Sequence, residues 1–262
     1  MLALDQSEPA LVGGIVQSPL GRGAAKLLAA LRELAFPPGC PACGAGLKNQ
    51  GPFCAACGDE VQLLTGPGHS ARSMGNRSGS GDAFGASGQS FKSAQALAVY
   101  GGPVGKALRG FKYNRHLASG SALAKWLARE IPAEWLSGID LIAPVPLHPR
   151  RLISRGFNQA VLLFRPLSQK YDIPLAANLV ARLRNTRPQV DLPPRERQDN
   201  VAGAFGLRKP GQTLERKVLL VDDVYTTGAT VNECSRALLQ AGAAQVRVLT
   251  LARTARGGAA PA

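Results

Sequence analysis

The chain has 262 residues, of which 45% are hydrophobic and 5% aromatic. This length accommodates one α/β domain of ordinary size plus a small appendage. The formal net charge of +14 favours polyanionic partners such as a phosphorylated substrate or nucleic acid, although a generally Arg-rich proteome would give the same balance. The sequence contains neither an apolar run of membrane-spanning length nor the pattern of a signal peptide, so we expect a cytoplasmic protein.

The N-terminal region predicts one helix. Residues 1–20 show no clear periodicity, whereas leucines recur at helical spacing between Gly23 and Phe36, directly before two prolines. Proline stops a helix because it lacks a backbone N–H. We therefore expect residues 1–36 to form a helical region that packs on the segment after it, with a partner-binding helix as the weaker alternative.

Four of the five cysteines form two C-x2-C pairs within a module at residues 37–65. A glycine follows the second cysteine of each pair, where it allows a tight turn that points backbone N–H groups at the thiolates. Four thiolates at this spacing indicate a closed tetrahedral zinc site with a structural role, and a redox dithiol is the weaker alternative. The predicted ligands are Cys40, Cys43, Cys54 and Cys57.

A flexible linker is predicted at residues 66–90, which are rich in Gly and Ser. Such a composition cannot bury enough apolar surface to form a core. The linker therefore separates the cysteine module from a second domain, predicted over residues 91–255.

The second domain opens with a predicted strand at residues 94–100, followed by a helix at 117–131 and a buried strand at 140–145. Residues 108–116 mix basic and aromatic side chains (LRGFKYNRH). This segment would contact phosphates and stack a base, or it would form the solvated basic end of a helix. The sequence does not decide between these interpretations.

An Arg-rich loop follows the second predicted strand. Residues 144–160 read PVPLHPRRLISRGFNQA, and prolines fix the chain ahead of Arg150, Arg151 and Arg155. A rigid, Arg-rich loop after a parallel strand is typical of a site for an anionic group, with an exposed basic turn as the alternative. His148 would contact the same anion or lie on the surface.

A helix reaching about Tyr171 leads to a third predicted strand at residues 179–184. Residues 185–204 are polar and carry charges of both signs. This segment is interpreted as a mobile loop that closes over a substrate, or as a disordered surface loop.

The most informative stretch is VLLVDDVYTTGAT, residues 218–230. Four apolar residues predict a strand buried on both faces, and Asp222 and Asp223 follow at its tip. A hydroxyl-rich turn with Gly228 then precedes a helix over residues 230–242. The free N–H groups and the dipole at a helix N-terminus favour a phosphate at this turn.

The alternation of strands and helices predicts an α/β domain with a mostly parallel sheet, which ends with a strand at residues 245–252. Ligands of such sheets bind at the carboxyl ends of the strands, so the Arg-rich loop and the turn after Asp223 are expected to share one edge. Cys234 is predicted to be a buried small hydrophobe rather than a nucleophile.

Residues 221–230 resemble the loop of type I phosphoribosyltransferases that binds phosphoribosyl pyrophosphate (PRPP). The wider pattern resembles the ComF family of competence-associated, phosphoribosyltransferase-like proteins. The resemblance is carried by the double C-x2-C, FKY at 111–113, the PVP and RRLISRGFNQA motifs within 144–160, the RPQ-to-GAF series at 187–205 and TLAR at 250–253. It implies a type I phosphoribosyltransferase-like α/β domain with a parallel sheet and a small N-terminal zinc-ribbon module held by four cysteines.

The resemblance also implies roles for individual residues. The ribose hydroxyls of PRPP would bind the catalytic pair Asp222 and Asp223, whose charge favours an oxocarbenium-like transition state; a structural strand-end cap is the alternative. Magnesium would bridge pyrophosphate and ribose oxygens. PRPP would be held by Val224, Tyr225, Thr226, Thr227, Gly228, Ala229 and Thr230. Candidate contacts to the pyrophosphate or from the mobile loop are Arg150, Arg151, Arg155, Lys112 and Arg187.

Two functions are consistent with these expectations. The protein is an enzyme that transfers phosphoribosyl from PRPP to an amine or base, or it holds PRPP or a nucleotide without turnover. In the second case its basic surface handles single-stranded DNA during natural transformation, together with other competence proteins. The acceptor pocket that would separate the two is not located by the sequence.

Overall fold

The computed structural model describes residues 39–47, 51–64, 89–113, 117–184 and 200–255. The predicted N-terminal helix, most of the predicted linker and residues 185–199 of the polar segment lie outside these ranges. No helix in the described part of the chain is both long and apolar enough to cross a membrane.

A four-stranded, fully parallel sheet forms the centre of the domain. Its strands are β1 (Ser93–Tyr100), β2 (Leu141–Pro144), β5 (Lys217–Tyr225) and β6 (Gln245–Thr254), in the spatial order β1-β6-β5-β2. The register aligns Val221 of β5 with Pro144 of β2 and Leu249 of β6. All four strands therefore end at one edge, as the alternation of elements predicts.

Two further strands form a separate ribbon. Strands β3 (Val180–Arg182) and β4 (Phe205–Leu207) pair antiparallel with each other. The prediction of a third strand at residues 179–184 was right in position, but the strand does not join the parallel sheet. Three residues are too few to show a direction of pairing in the sequence.

Helices cover both faces of the sheet. The helices whose full extent lies within the described residues are α1 (Ala55–Asp59), α2 (Gly102–Tyr113), α3 (Leu117–Glu130), α4 (Pro149–Arg155), α5 (Gln159–Tyr171) and α6 (Ala229–Gln240), with short 3₁₀ turns at Ala133–Leu136 and Pro210–Thr213. Helices α1 and α4 bury no residue, so the other four cover the sheet. Helices α2, α3 and α5 share one apolar core with Leu219 and Val221, and α6 shares the other with Val218 and Leu220. These four strand residues are at most 2% exposed, which confirms the predicted strand buried on both faces.

The cysteine module packs directly on the α/β domain. Cys40 and Phe53 belong to the same core as α3, and the Phe53 and Trp126 rings meet edge to face, 5.7 Å apart. The chain that leaves the module extends the sheet antiparallel to the edge strand β1, since the Leu64 N–H donates to the Leu97 carbonyl at 2.8 Å. This pairing covers backbone groups that an edge strand otherwise exposes.

Candidate functional site

The two adjacent acids lie inside strand β5 rather than beyond its tip, because the strand continues to Tyr225. Successive side chains of a strand point to opposite faces. Asp222 therefore shares the face of Leu220 and α6, whereas Asp223 shares the face of Val221 and α2. The sequence predicts the pair but not this division.

Asp223 forms an ion pair with Lys112, the penultimate residue of α2. The Lys112 Nζ lies 2.8 Å from Asp223 Oδ2, and the two side chains are only 20% and 13% exposed. Burial alone would lower the pKa of Lys112, but the charge of Asp223 and its hydrogen bond outweigh burial, and the pKa is raised. Lys112 therefore carries its positive charge beside the acid pair.

Asp222 is less acidic than an ordinary aspartate. Desolvation by the surrounding atoms, and then the charge of Asp223, raise the pKa of Asp222 to about 7. The Asp223 N–H donates to Asp222 Oδ1 at 2.8 Å and, with Lys112, only partly offsets this rise. Near neutral pH Asp222 is therefore only partly ionised, as is common for carboxyl groups at functional sites.

The turn after β5 requires a glycine at position 228. Gly228 adopts a left-handed conformation with φ +80°, and a Cβ there would lie 2.2 Å from the Tyr225 hydroxyl oxygen. Thr226 and Thr227 are exposed, and Gly228, the residue before α6, has no side chain that could cap the helix. The Ala229 N–H meets Thr227 Oγ1 only at 3.4 Å. The weak capping of the α6 N-terminus is compatible with the predicted anion site, which stays a prediction.

The predicted Arg-rich loop contains a short helix, α4. Pro149 occupies its first turn, His148 Nδ1 accepts from the Arg150 N–H at 3.2 Å, and Gly156 ends it in a left-handed conformation. The loop begins beside the acid pair, because the Val145 N–H donates to the Val221 carbonyl at 2.9 Å. Its start therefore lies next to the backbone of the residue before Asp222.

The structure separates the predicted arginines. Arg155 lies over the ring of Tyr113 at 5.3 Å and so joins the end of α2 next to Lys112. Arg150 and Arg151 lie at the other end of α4, on the His148 side. Partial burial and the charges of Arg182, Arg150 and Arg151 lower the pKa of His148. Arg187 lies outside the described residues.

Arg182 of β3 is a basic residue near this site that the sequence does not single out. Its guanidinium lies 5.3 Å from the centre of the Phe205 ring. Burial, and then the charge of Arg151, lower the pKa of Arg182. No local signal could have found this residue, since an arginine in a three-residue strand carries no spacing that connects it to residue 151.

The basic and aromatic segment at the end of α2 only partly matches its predicted roles. Phe111 is fully buried and stacks on Phe157, with ring centres 5.2 Å apart, so of the two interpretations left open for this segment, base stacking does not apply to Phe111. Tyr113 is 65% exposed. Cys234 is fully buried and burial raises its pKa, which confirms the prediction of a buried hydrophobe.

The four predicted cysteine ligands converge. The Sγ atoms of Cys40, Cys43, Cys54 and Cys57 all lie within 4.8 Å of one another, and Cys43 and Cys54 are 3.6 Å apart. Burial opposes the Cys40 thiolate, but backbone N–H groups, led by that of Cys54, lower its pKa to about 6. Four soft sulfur donors at this separation fit a tetrahedral metal ion.

Together the fold and the site define a phosphoribosyltransferase-type domain: a parallel sheet whose carboxyl edge carries adjacent acids, a left-handed glycine turn and an open helix N-terminus. The family model described as the phosphoribosyl transferase domain matches residues 158–261. This confirms the predicted fold class, with the four-cysteine cluster at its N-terminal side.

Curated relatives identify the family. Competence protein F from Haemophilus influenzae is 32% identical over 219 residues, which cover 82% of this chain and 90% of that protein. DNA utilization protein YhgH from Escherichia coli K12 is 40% identical over 162 residues, which cover 60% of this chain and 70% of that protein. The chain belongs to the family of these proteins, the ComF family predicted from its motifs.

Among solved structures, this chain is similar to the glutamine PRPP amidotransferase from B. subtilis, with 20% sequence identity and a TM-score of 0.35. The similar region covers 50% of this chain and 26% of that protein. This likeness is too distant to carry a functional argument.

Proposed function

We propose that the protein binds PRPP together with magnesium at the carboxyl edge of the sheet and acts in the cytoplasm in the handling of DNA taken up by the cell. The observation that carries the proposal is the adjacency of the acid pair, its partner Lys112 and the open turn at Gly228. A phosphorylated sugar is the ligand class that needs both hydroxyl acceptors and a phosphate cradle side by side. The names of the relatives, competence protein F and DNA utilization protein, support the biological role.

In this proposal the turn at residues 226–228 and the first N–H groups of α6 hold the 5′-phosphate, and Asp222 and Asp223 accept hydrogen bonds from the ribose hydroxyls. Magnesium, when bound with PRPP, would neutralise pyrophosphate oxygens; the two carboxylates supply the hard oxygen donors it prefers. Positioning and charge stabilisation carry the transfer, so no covalent nucleophile is required.

Lys112 has a defined part in this site. While no ligand is bound it neutralises Asp223. Pyrophosphate brings several negative charges to the same edge and offers the ammonium group a second partner, so Lys112 would turn from Asp223 toward the leaving group. Arg151 of α4 and Arg182 of β3 also carry positive charge near this edge of the sheet. Their electrostatic field would help to attract the anionic ligand.

We also propose that the four cysteines hold a structural zinc ion. All four sulfurs are used within the cluster and leave no position for a substrate, which distinguishes a structural from a catalytic site.

The experiment that tests turnover is pyrophosphate release from PRPP and magnesium in the presence of candidate bases and amines. Release that depends on an acceptor and is lost in Asp222→Asn supports an enzyme. Clear PRPP binding with no release for any acceptor favours the second function, a protein that binds PRPP or a nucleotide without turnover.

A direct role in binding single-stranded DNA is the second candidate. The exposed Tyr113 with Arg155 across its ring, and the exposed Arg109 on the same helix, favour it, because such pairs contact bases and phosphates. Replacing Arg109 and Arg155 with alanine should weaken binding of a single-stranded oligonucleotide and flatten its salt dependence. Replacing the exposed Lys125 and Arg165 instead is the matched control, and equal effects of the two double variants would reject this contact.

A further inference from the structure

The end of the predicted linker lies against the turn that begins α6. Gln89 and Ser90 fall in the range predicted to be flexible, yet both have hydrogen-bond partners. The Ser90 backbone N–H donates to Asn232 Oδ1 at 2.7 Å, across 142 positions of the chain. Asn232 lies in the first turn of α6, so this bond fixes the linker end to the helix N-terminus.

Gln89 contacts the other side of the same turn. Its side chain hydrogen-bonds to the Tyr225 hydroxyl, and because Gln89 Oε1 has no partner among the described residues, the amide nitrogen is the donor. Tyr225 is 6% exposed. Its hydroxyl fills the space that a Cβ on Gly228 would need. Gln89 therefore holds in place the hydroxyl group against which Gly228 packs.

Within the described part of the chain, the turn has few hydrogen bonds of its own besides that from the Asn232 N–H to the Gly228 carbonyl at 2.8 Å. Thr226 and Thr227 are exposed, Gly228 is in a left-handed conformation, and the internal Ala229 to Thr227 contact is long at 3.4 Å. Ordering such a turn when a ligand arrives costs affinity, and ordering it beforehand saves that cost. The two bonds from the linker end are placed to supply that order.

We infer that Gln89 and Ser90 are positioning residues for the phosphate turn: they hold Tyr225 and Asn232, and through them keep the backbone N–H groups of residues 226–230 converged on one phosphate. The inference rests on the proposed function for the identity of the ligand. According to this inference, the end of the linker contributes to the affinity of the site. Loss of its hydrogen bonds should weaken binding of the 5′-phosphate and leave binding of the pyrophosphate unchanged.

Three variants of the full chain test the inference. Asn232→Ala removes the acceptor for Ser90, Gln89→Leu removes the donor to Tyr225, and Tyr225→Phe removes only the hydroxyl and keeps the ring. Ser168→Ala is the matched control, because it deletes a side-chain hydrogen bond of 2.7 Å, to the Ile173 carbonyl, in a different part of the domain.

Two measurements are made on each variant. Hydrogen–deuterium exchange of the amides of residues 226–230, without ligand, should become faster in the three variants and stay unchanged in the control. The affinity for ribose 5-phosphate should fall about fivefold for each lost hydrogen bond, whereas the affinity for pyrophosphate should stay within about twofold of that of the original protein.

Unchanged exchange in all three variants overturns the inference, and so does a loss of pyrophosphate affinity equal to that of ribose 5-phosphate. If the unaltered protein binds neither PRPP nor ribose 5-phosphate, the proposed function fails. The exchange measurement still decides whether the linker end orders the turn, because it needs no ligand.

Discussion

Lys112 Nζ and Asp223 Oδ2 lie 2.8 Å apart, and this ion pair joins the end of α2 to the acid pair of the central strand. The positive charge of Lys112 explains how two adjacent carboxyl groups are tolerated near the end of a largely buried strand. Replacing Lys112 with an uncharged residue of similar size would therefore remove a charge from the site and largely keep its shape.

Replacing Lys112 with methionine should destabilise the protein. Asp223, only 13% exposed, would lose its partner. Removing one member of a fully buried pair costs about 3–5 kcal/mol, and we expect a loss toward the lower end here because both side chains keep some exposure. Urea unfolding at pH 7 measures this change. Lys106→Met, at an exposed position of the same helix, is the control and should have little effect. Equal stability of the two variants would show that the ion pair contributes nothing to the folded state.

The pH dependence of stability should report on Asp222. Its native pKa of about 7 lies above the ordinary value of 3.8, so between these pH values the native state binds more protons than the unfolded state. Protonated Asp222 therefore makes its whole contribution to the free energy of unfolding below about pH 4. This contribution is lost as the pH rises through 7.

Asp222→Asn cannot titrate at this position, so its stability relative to the original protein should increase from about pH 4 to about pH 8. The increase is at most about 4 kcal/mol, since each pKa unit corresponds to about 1.4 kcal/mol and the neighbouring charges share the titration. Chemical unfolding of both proteins across this range measures it. A difference that is flat with pH would mean that Asp222 titrates at its ordinary pKa.

Gly228→Ala should damage the turn. The new Cβ would meet the Tyr225 hydroxyl at 2.2 Å and the residue would keep a φ near +80°, so we expect a loss of about 1–3 kcal/mol in stability together with loss of ribose 5-phosphate binding. Gly211→Ala, where a Cβ meets nothing within 4 Å and φ is not positive, is the control. If a folded Gly228→Ala variant binds ribose 5-phosphate with normal affinity, the turn at Gly228 is not part of the binding site.

The cysteine cluster should hold one zinc ion per chain. Cys43→Ser removes one of four ligands, so the zinc content measured by mass spectrometry should fall from about one to near zero, and the unfolding temperature should fall with it. Cys234→Ala changes the fully buried cysteine outside the cluster and should leave the zinc content at that of the original protein. Zinc retained at full occupancy in Cys43→Ser would contradict a four-sulfur site.

The elements with strong patterns could be predicted from the sequence. The apolar run at residues 218–221 lies in a strand buried on both faces, and the helix predicted over residues 230–242 differs from the observed Ala229–Gln240 by one or two residues at each end. Hydrophobic periodicity specifies these elements because their burial is continuous along the chain. The spacing of the cysteines likewise predicted their convergence.

Helix α4 was missed although its signals were present. Pro149 in the first turn, a capping side chain at His148 and a glycine at 156 are standard boundary signals. None of the residues in α4 is buried, so the segment has no apolar periodicity, and three prolines favoured the interpretation as a loop.

Contacts between distant elements could not be predicted. The pairing of Lys112 with Asp223, of Arg155 with Tyr113 and of Ser90 with Asn232 depends on which elements become neighbours in space. Composition and spacing along the chain carry no information on those neighbours. For the same reason the sequence predicts a flexible segment that includes Gln89 and Ser90, since these residue types are common in linkers.

The most direct test of the proposed function is calorimetric titration of the full chain with PRPP in the presence of magnesium. We predict binding of one PRPP per chain that is lost when Asp222 and Asp223 are both replaced by asparagine, with circular dichroism confirming that the double variant is folded. No binding to the original protein, or the same affinity in the folded double variant, would contradict the assignment of this edge as a PRPP site.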